Sequence, residues 1–268
     1  MNSIRTFKKM KHKNEKIVML TAYDYPSAKY VEMAGIDLIL VGDSLGMVVL
    51  GYENTLNVTV SDMVHHAKAV RNGAKESFIV VDMPYMSYHI SNEETKRNAA
   101  KLILETGANA VKLEGGKPSR IEAIKAIIDC EIPVVGHLGL TPQSIYQFGG
   151  YVVQGKKEAD QEKILEQAKA IEQAGAFMIV LEGIPEKLGE KITENLSIPT
   201  IGIGAGRFTD GQVLVYHDVL GMADFAPKFV RKYMNLSDKI PANLKKFIND
   251  VKEGEFPKKE QIYAPMDK

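Results

Sequence analysis

A short stretch near the middle of the chain, Ala110-Val-Lys-Leu-Glu-Gly-Gly116, combines the apolar pattern of a buried strand with two charged residues. Successive side chains of a β-strand point to opposite faces, so Lys112 and Glu114 would share one face. Burying a lysine and a glutamate without partners is costly, and protein cores rarely contain them. The stretch therefore predicts either an internal ion pair between these two side chains or a polar site at the C-terminal end of a strand.

Polar residues that can do chemistry also lie at the ends of other apolar runs. Asp43 and Ser44 close the second run, Asp82 closes the third, and Glu182 closes the sixth. His137 lies in the fifth run, where a hydrogen bond to the backbone and a contact with substrate are both open. Carboxylates held close together repel and raise one another's pKa, and a bound cation relieves that repulsion. A cation is therefore expected among them.

The cation that this cluster predicts is Mg²⁺, with another divalent ion that prefers oxygen ligands as the alternative, because carboxylate oxygens are hard ligands whereas zinc prefers several histidine or cysteine ligands. A 2-oxo acid would chelate it through carboxylate and keto oxygens, and the metal would stabilise an enolate formed at C3. Lys112 would add a positive charge near those oxygens, and Glu182 would take the C3 proton as general base. A Schiff base between Lys112 and the substrate carbonyl is the alternative chemistry.

Bringing these residues together requires strands whose C-terminal ends meet. The sequence repeats a unit of apolar run, polar or glycine-rich turn and amphipathic helix. The predicted strands are residues 17–24, 36–44, 78–84, 110–116, 132–139, 177–183, 198–206 and, as the weakest candidate, 222–226. Their continuously apolar character is typical of parallel strands buried on both faces. Eight such units predict an α/β fold, the TIM (β/α)8 barrel, with its active site at the C-terminal ends of the strands.

A doubly wound open sheet is the alternative architecture. It would normally carry a phosphate-binding glycine motif after the first strand, whereas the first run here ends in Thr21-Ala-Tyr-Asp24. A capping box, Ser91-Asn-Glu-Glu94, predicts the start of a helix. Two long loops stand out: residues 45–60 resemble a small hairpin over the barrel mouth, and residues 141–155 could form a second lid.

The domain organisation is expected to be simple. A single domain would cover residues 1–268, with a helical cap in 1–15 and a C-terminal helix and tail in 240–268. Helices are also predicted at about 158–173, from the apolar positions that share one face, and at 228–233. We find no composition shift that indicates an internal domain boundary.

The composition argues against several classes of function. Lys plus Arg equals Asp plus Glu at 34 each, so no basic field favours nucleic acid or an anionic membrane as partner. No apolar run approaches the roughly 20 residues of a membrane span, and the first residues lack the apolar core of a signal peptide. The single cysteine, Cys130, excludes an internal disulfide framework and is expected to be a small packing residue. A cytoplasmic enzyme with small-molecule substrates is expected.

Short motifs follow one another along nearly the whole chain. They are Leu20-Thr-Ala-Tyr-Asp24, Val41-Gly-Asp-Ser-Leu-Gly-Met47, Val81-Asp-Met-Pro84, Val111-Lys-Leu-Glu-Gly-Gly116, Gly136-His-Leu-Gly-Leu-Thr-Pro-Gln143, Phe148-Gly-Gly-Tyr151, Val153-Gln-Gly155, Ile201-Gly-Ile-Gly-Ala-Gly206 and Asp210-Gly-Gln-Val-Leu-Val215. In this order they resemble the 3-methyl-2-oxobutanoate hydroxymethyltransferase family, also called ketopantoate hydroxymethyltransferase. The segment after Ile240 matches poorly, so nothing is inferred for it from the resemblance.

The resemblance implies a TIM barrel of the phosphoenolpyruvate/pyruvate type that binds Mg²⁺. It implies transfer of a hydroxymethyl group from 5,10-methylenetetrahydrofolate to 3-methyl-2-oxobutanoate, giving 2-dehydropantoate in pantothenate and coenzyme A biosynthesis. It also implies a homo-oligomer, commonly a decamer. The two rival functions are another Mg²⁺-dependent 2-oxo acid aldolase or lyase of the same barrel type, and a binding protein without catalysis.

The resemblance also implies roles for individual residues, carried over by position. The family's metal-site positions correspond to Asp43, Asp82 and Glu114. Its oxo-acid contacts correspond to Asp43, Ser44, Asp82 and Lys112. Its proton acceptor corresponds to Glu182.

Overall fold

Eight parallel strands close into a barrel, each paired with the next along the chain and the last with the first. The computed structural model describes residues 2–223 and 226–263. The strands are β1 Ile17–Thr21, β2 Leu38–Val41, β3 Phe78–Asp82, β4 Ala110–Glu114, β5 Val134–Gly139, β6 Met178–Glu182, β7 Thr200–Ile203 and β8 Gly211–Leu214. The predicted TIM barrel is confirmed. The open sheet is excluded, because a closed barrel leaves no free edge strand.

Helices connect most of the strands. They are α1 Ile4–His12, α2 Tyr25–Met33, α3 Leu45–Val48, α4 Val60–Gly73, α5 Asn92–Thr106, α6 Pro118–Ile128, α7 Ile145–Phe148, α8 Glu158–Gln173, α9 Glu186–Asn195, α10 Tyr216–Val219 and α11 Leu236–Glu253, with 3₁₀ turns at Pro142–Ser144 and Lys259–Gln261. As predicted, the Ser91 hydroxyl caps α5 by accepting a hydrogen bond from the Glu94 N–H at 3.2 Å. Helix α8 has the predicted bounds.

Side chains along the strands alternate between two apolar layers. Ala110 packs inside the barrel with Leu38 and Val80. Val111 and Leu113 pack in the outer layer, between strands and helices. Because alternate residues of a strand share a face, this arrangement gives the inner face of β4 to its two charged residues, as predicted.

Helix α1 closes the N-terminal end of the barrel. Its fully buried Phe7 packs edge-on against Phe78, with ring centroids 5.2 Å apart. Phe78 packs in turn against Phe177, at 5.9 Å between centroids. The same interior cluster includes Ile17 and Met19 of β1. The three aromatic rings therefore form the floor of the barrel, opposite the end where the polar residues lie.

We expect Phe7→Ala to lower the free energy of unfolding by about 3–5 kcal/mol, because it removes a fully buried ring and leaves a cavity beside Phe78. Denaturant unfolding would measure the change. The matched control is Ile4→Ala on the same helix, whose side chain is 36% exposed, and it should cost much less. Equal unfolding midpoints for native protein and Phe7→Ala would show that α1 adds nothing to the core.

The eighth strand lies earlier in the chain than predicted. β8 pairs in parallel with both β1 and β7, and the connection from β7 to β8 contains no helix in the described residues 204–210. The run 222–226 was the wrong candidate, and two of its residues, 224–225, lie outside the described residues. β8 was missed because it is short, begins with Gly211 and exposes Gln212, so it lacks the continuous apolar pattern of the other strands.

Three smaller predictions were also wrong. Residues 228–233 form turns and bends, and the next helix, α11, begins at Leu236. The described residues 45–60 contain no strand; instead of pairing in a hairpin, Leu45 and Val58 are buried in the outer apolar layer. Cys130 is exposed, because it lies in the turn after α6 and not on a packed face.

The chain divides into two compact units, Met1–Tyr216 and His217–Lys268. The barrel strands belong to the first unit. The second contains α11, where Leu244, Phe247 and Val251 are exposed. None of the helices in the described ranges combines the length and the apolar character that crossing a membrane requires.

Candidate active site

The predicted site residues meet at the C-terminal end of the barrel. Parallel pairing sets Asp82 of β3 beside Lys112 of β4, and Glu114 beside His137 of β5. Asp43 follows the end of β2, and its N–H donates to the Asp82 carboxylate at 3.0 Å. All five side chains are buried. The strand ladder therefore places ionisable side chains from four neighbouring strands side by side.

Lys112 is the positive centre of this cluster. Its Nζ lies 2.9 Å from Asp82 Oδ1 and 3.1 Å from His137 Nδ1. The ion pair is therefore with Asp82 and not with Glu114, the partner that the sequence suggested. Burial alone would lower the pKa of Lys112, but the carboxylates of Asp82, Glu114 and Asp43 together raise it, so the ammonium stays charged.

His137 is held as a neutral imidazole. Its Nε2 lies 2.9 Å from the Leu140 carbonyl oxygen, which can only accept, so Nε2 carries the proton. Nδ1 is then free of a proton and accepts from Lys112 at 3.1 Å. Burial and the neighbouring Lys112 charge lower its pKa well below the ordinary histidine value. One of the two alternatives for this residue, a hydrogen bond to the backbone, is thus present.

The three buried carboxylates carry more negative charge than Lys112 balances. Burial and the Asp82 charge raise the pKa of Asp43 to about 7. Burial raises the pKa of Asp82 as well, although Lys112 lowers it. Burial, followed by the charges of Asp43 and Asp82, raises the pKa of Glu114 well above its ordinary value against the lowering effect of Lys112. A cation placed here would relieve this strain on the ionised forms.

The described residues contain no group of three or more His, Cys, Asp or Glu side chains arranged to hold a metal ion directly. Mg²⁺ does not require such a preformed group, because it usually keeps several waters and binds through one or two carboxylates and the substrate. Asp82 Oδ1 is buried and faces the Lys112 ammonium at 2.9 Å. The three carboxylates are therefore compatible with a hydrated Mg²⁺ ion that one or two of them bind directly and the others bind through water.

Glycine at position 42 lets the backbone approach the site closely. A Cβ built on Gly42 would lie 2.8 Å from Ser44 Oγ and 3.5 Å from Asp82 Oδ2. The Ser44 hydroxyl also lies 2.8 Å from the Tyr23 hydroxyl. Tyr23, from the Thr21-Ala-Tyr-Asp24 motif, is a contact of the predicted Ser44 that the sequence did not reveal.

Glu182 lies at the end of β6, the strand next to β5. Its side chain is 16% exposed, and its Oε2 is 3.4 Å from His137 Nε2. Burial raises its pKa to about 8, helped by Asp43 and Asp82 and opposed by Lys112. A carboxylate with a pKa near neutrality can accept a proton and release it again, which is the property of a general base.

Two further residues join the carboxylates, and the sequence did not indicate them. Gln143 Nε2 donates to Asp43 Oδ2 at 2.8 Å, and the Gln143 N–H donates to Glu114 Oε2 at 3.0 Å. The Tyr88 hydroxyl donates to Gln143 Oε1 at 2.5 Å. Gln143 ends one of the recognised motifs, which was its only sequence signal, and Tyr88 had none.

The two long loops meet above the site. The Tyr151 hydroxyl lies 3.3 Å from the sulfur of Met47. Tyr151 belongs to the segment 141–155, and Met47 belongs to α3 in the segment 45–60. Both side chains are partly exposed, so this contact links the loops at the rim of the barrel.

Known proteins resemble this chain along nearly its whole length. The family model of ketopantoate hydroxymethyltransferase matches residues 1–259. The 3-methyl-2-oxobutanoate hydroxymethyltransferase of Clostridium kluyveri is 57% identical over 267 residues, covering 99% of this chain and 95% of that protein. Among solved structures, 2,3-dimethylmalate lyase, a member of the PEP mutase/isocitrate lyase superfamily, has a TM-score of 0.63 at 16% identity and covers 98% of this chain and 92% of its own.

A phosphonopyruvate hydrolase, solved as a complex with oxalate and Mg²⁺, also has a TM-score of 0.63, at 11% identity, with 98% of this chain and 92% of its own covered. At such low identities these two structures support the barrel fold alone. The family model and the C. kluyveri relative match nearly all of the chain, and they show its family as well as its fold. The chain is thus a member of the ketopantoate hydroxymethyltransferase family of transferase enzymes.

Proposed function

We propose that the enzyme transfers a hydroxymethyl group from 5,10-methylenetetrahydrofolate to C3 of 3-methyl-2-oxobutanoate and forms 2-dehydropantoate. One observation carries the proposal. A buried cluster of Lys112 and three carboxylates lies at the ends of β2, β3 and β4, and Glu182, with a pKa of about 8, lies at the end of β6, where it is 3.4 Å from His137. The cluster suits the oxygens of a 2-oxo acid, and the separate carboxylate suits its C3 proton.

Mg²⁺ would be held by Asp43, Asp82 and Glu114, some of them through water. When bound, it supplies a Lewis acid that stabilises negative charge on the oxygens of the oxo acid. The excess of buried carboxylates over Lys112 supports a divalent cation at this place. The phosphonopyruvate hydrolase of the same fold, solved with oxalate and Mg²⁺, is an example of such a pairing.

Lys112 and Ser44 would bind the oxo acid directly. The Lys112 ammonium is already oriented by Asp82 and His137, at 2.9 and 3.1 Å, so little side-chain freedom remains to be lost when an anion arrives. The Ser44 hydroxyl can donate to a carboxylate oxygen, and Asp43 and Asp82 lie beside it. His137, being neutral, keeps Lys112 in place without adding charge.

Glu182 would accept the C3 proton of the oxo acid. At neutral pH a minority of Glu182, on the order of a tenth, is deprotonated, because its pKa is about 8. The carbon nucleophile so formed would attack the one-carbon unit, with the folate arriving through the barrel mouth beneath Met47 and Tyr151. The reaction consumes one water, which supplies the hydroxyl oxygen of the one-carbon unit, while both C–N bonds of the methylene group break and the two folate nitrogens take the protons of that water. The proton held by Glu182 then passes to the new alkoxide and completes the hydroxymethyl group.

The test of the proposal is product formation. We expect purified enzyme with Mg²⁺, 3-methyl-2-oxobutanoate and 5,10-methylenetetrahydrofolate to form 2-dehydropantoate, and a chelator to abolish that formation. Mass spectrometry of the reaction would measure it. Product formed without folate, or no hydroxymethyl product at all, would exclude this function and favour a lyase or aldolase of the same fold.

The Schiff-base alternative makes the opposite prediction about Lys112. It requires that borohydride with the oxo acid modify Lys112 and that chelators leave the activity unchanged. Under the proposed function Lys112 stays unmodified. The homo-oligomeric state and the cytoplasmic location remain predictions from the sequence.

A further inference from the structure

We propose that Gln143 is a positioning residue for the metal site, and that the Tyr88 hydroxyl sets the orientation of its carboxamide. The pair would hold Asp43 and Glu114 in the arrangement that the cation requires. The proposal rests on the Mg²⁺ site of the proposed function, and it assigns a role to two residues that the sequence did not single out.

The hydrogen bonds determine which way the Gln143 amide faces. Its Nε2 is 2.8 Å from Asp43 Oδ2 and 3.0 Å from the Met83 carbonyl oxygen. A carbonyl oxygen accepts only, so the atom that faces it must be the NH₂ group. The opposite atom, Oε1, then accepts from the Tyr88 hydroxyl at 2.5 Å.

Tyr88 is itself fixed from the other side. Its oxygen accepts a hydrogen bond from the Glu114 N–H at 3.2 Å, so its own proton is available for Gln143. The backbone N–H of Gln143 donates a hydrogen bond to Glu114 Oε2 at 3.0 Å. Glu114, Tyr88 and Gln143 thus form a closed ring of hydrogen bonds, and the Gln143 side chain extends this ring to Asp43.

The ring joins β2 to β4 through residues on two different loops. Tyr88 follows β3, and Gln143 lies in the 3₁₀ turn Pro142–Ser144 that follows β5. Both side chains are buried, at 3% and 6% exposure, so water competes little for these hydrogen bonds. Leaving one partner unsatisfied there would be costly.

A neutral amide suits this position for an electrostatic reason. Gln143 engages one oxygen of Asp43 and one of Glu114, and leaves the second oxygen of each carboxylate for a cation or its water. A lysine or arginine would orient the carboxylates equally well but would cancel the negative charge that attracts Mg²⁺. Gln143 therefore orients the two carboxylates and preserves their charge, as outer-shell partners of metal ligands do.

The experiment is a titration of the full-length native chain and its variants with Mn²⁺, a spectroscopic probe for the Mg²⁺ site, followed by the electron paramagnetic resonance signal of free Mn²⁺. No oxo acid or folate is present. We expect Tyr88→Phe and Gln143→Ala to weaken Mn²⁺ binding by roughly 10- to 100-fold. Tyr88→Phe removes only the hydroxyl oxygen and keeps the aromatic side chain, so it tests the proposal even if Gln143→Ala folds poorly.

The matched control is Gln154→Ala, a glutamine in the same loop segment whose amide donates only locally, to Val152 O at 2.7 Å. It should bind Mn²⁺ as the native chain does. Thermal unfolding in chelator distinguishes a role in folding stability from a role in metal binding. A lower unfolding midpoint with unchanged Mn²⁺ affinity in both variants would overturn the proposal. So would native protein that fails to bind Mn²⁺. Native protein that binds Mn²⁺ but makes no 2-dehydropantoate would overturn the proposed function and leave this inference standing.

Discussion

Glu182→Gln is expected to slow exchange of the C3 proton of 3-methyl-2-oxobutanoate by roughly 10²- to 10⁴-fold, the usual contribution of a general base. The amide keeps the size of the side chain but cannot accept the proton. Mg²⁺ and oxo-acid affinity should change little, because the Glu182 carboxylate contacts His137, at 3.4 Å, and not the three proposed metal ligands. Proton NMR in deuterated water, without folate, measures this step alone.

The pH dependence of the exchange rate is a second test of the role of Glu182. The active form of a base is the deprotonated one, so with a pKa of about 8 for Glu182 the exchange rate should rise by about tenfold per pH unit below 8 and level off above it. Glu182→Gln should lose this dependence.

The matched control for the base is Glu186→Gln, four residues further along. Glu186 pairs with Arg207 on the surface at 3.2 Å, outside the barrel mouth, so its substitution should leave both the rate and the pH profile unchanged. Exchange at the native rate in Glu182→Gln would show that another group removes the proton.

Lys112→Met is expected to cost about 3–5 kcal/mol of unfolding free energy, because it leaves Asp82 and its neighbouring carboxylates buried without their positive partner. The methionine fills a similar volume, so the loss reports on charge and not on a cavity. Oxo-acid binding should fall with it, since the cation that faces the substrate is gone. Denaturant unfolding in chelator and calorimetric titration with the oxo acid measure the two effects.

The control for Lys112 is Lys125→Met, which breaks the pair of Lys125 with Glu122, 2.9 Å apart and half exposed on α6. Surface pairs of this kind contribute little to stability, so its unfolding midpoint should match that of the native chain. A Lys112→Met variant as stable as native protein would mean that the buried carboxylates are already neutral without the lysine.

The barrel was predictable because most of its strands carry a strong signal. Runs such as 78–84 and 177–183 are apolar without interruption, which happens where a strand is covered on both faces. β8 breaks that rule: Gly211 contributes no side chain and Gln212 faces solvent. Pairing with strands on both sides, and not local composition, makes it a strand.

The charged residues of the site were predictable for a similar reason. A lysine or carboxylate within an apolar strand is energetically unfavourable unless it has a partner, so its presence indicates a site. The choice of partner was not predictable, because Lys112 reaches Asp82 across a strand pair that only the register defines. Gln143 and Tyr88 were missed because a polar residue in a loop is ordinary, and only the tertiary fold brings them to the carboxylates.

The aromatic floor formed by Phe7, Phe78 and Phe177 has a consequence for the sequence of binding events. With that end of the barrel filled, reactants enter and leave by the opposite mouth alone. Under the proposed function, the oxo acid would bind at Lys112, deeper in the barrel than the larger folate. Both substrates would then use the same entrance, so we expect an ordered reaction in which the oxo acid binds before the folate and the folate product leaves before 2-dehydropantoate.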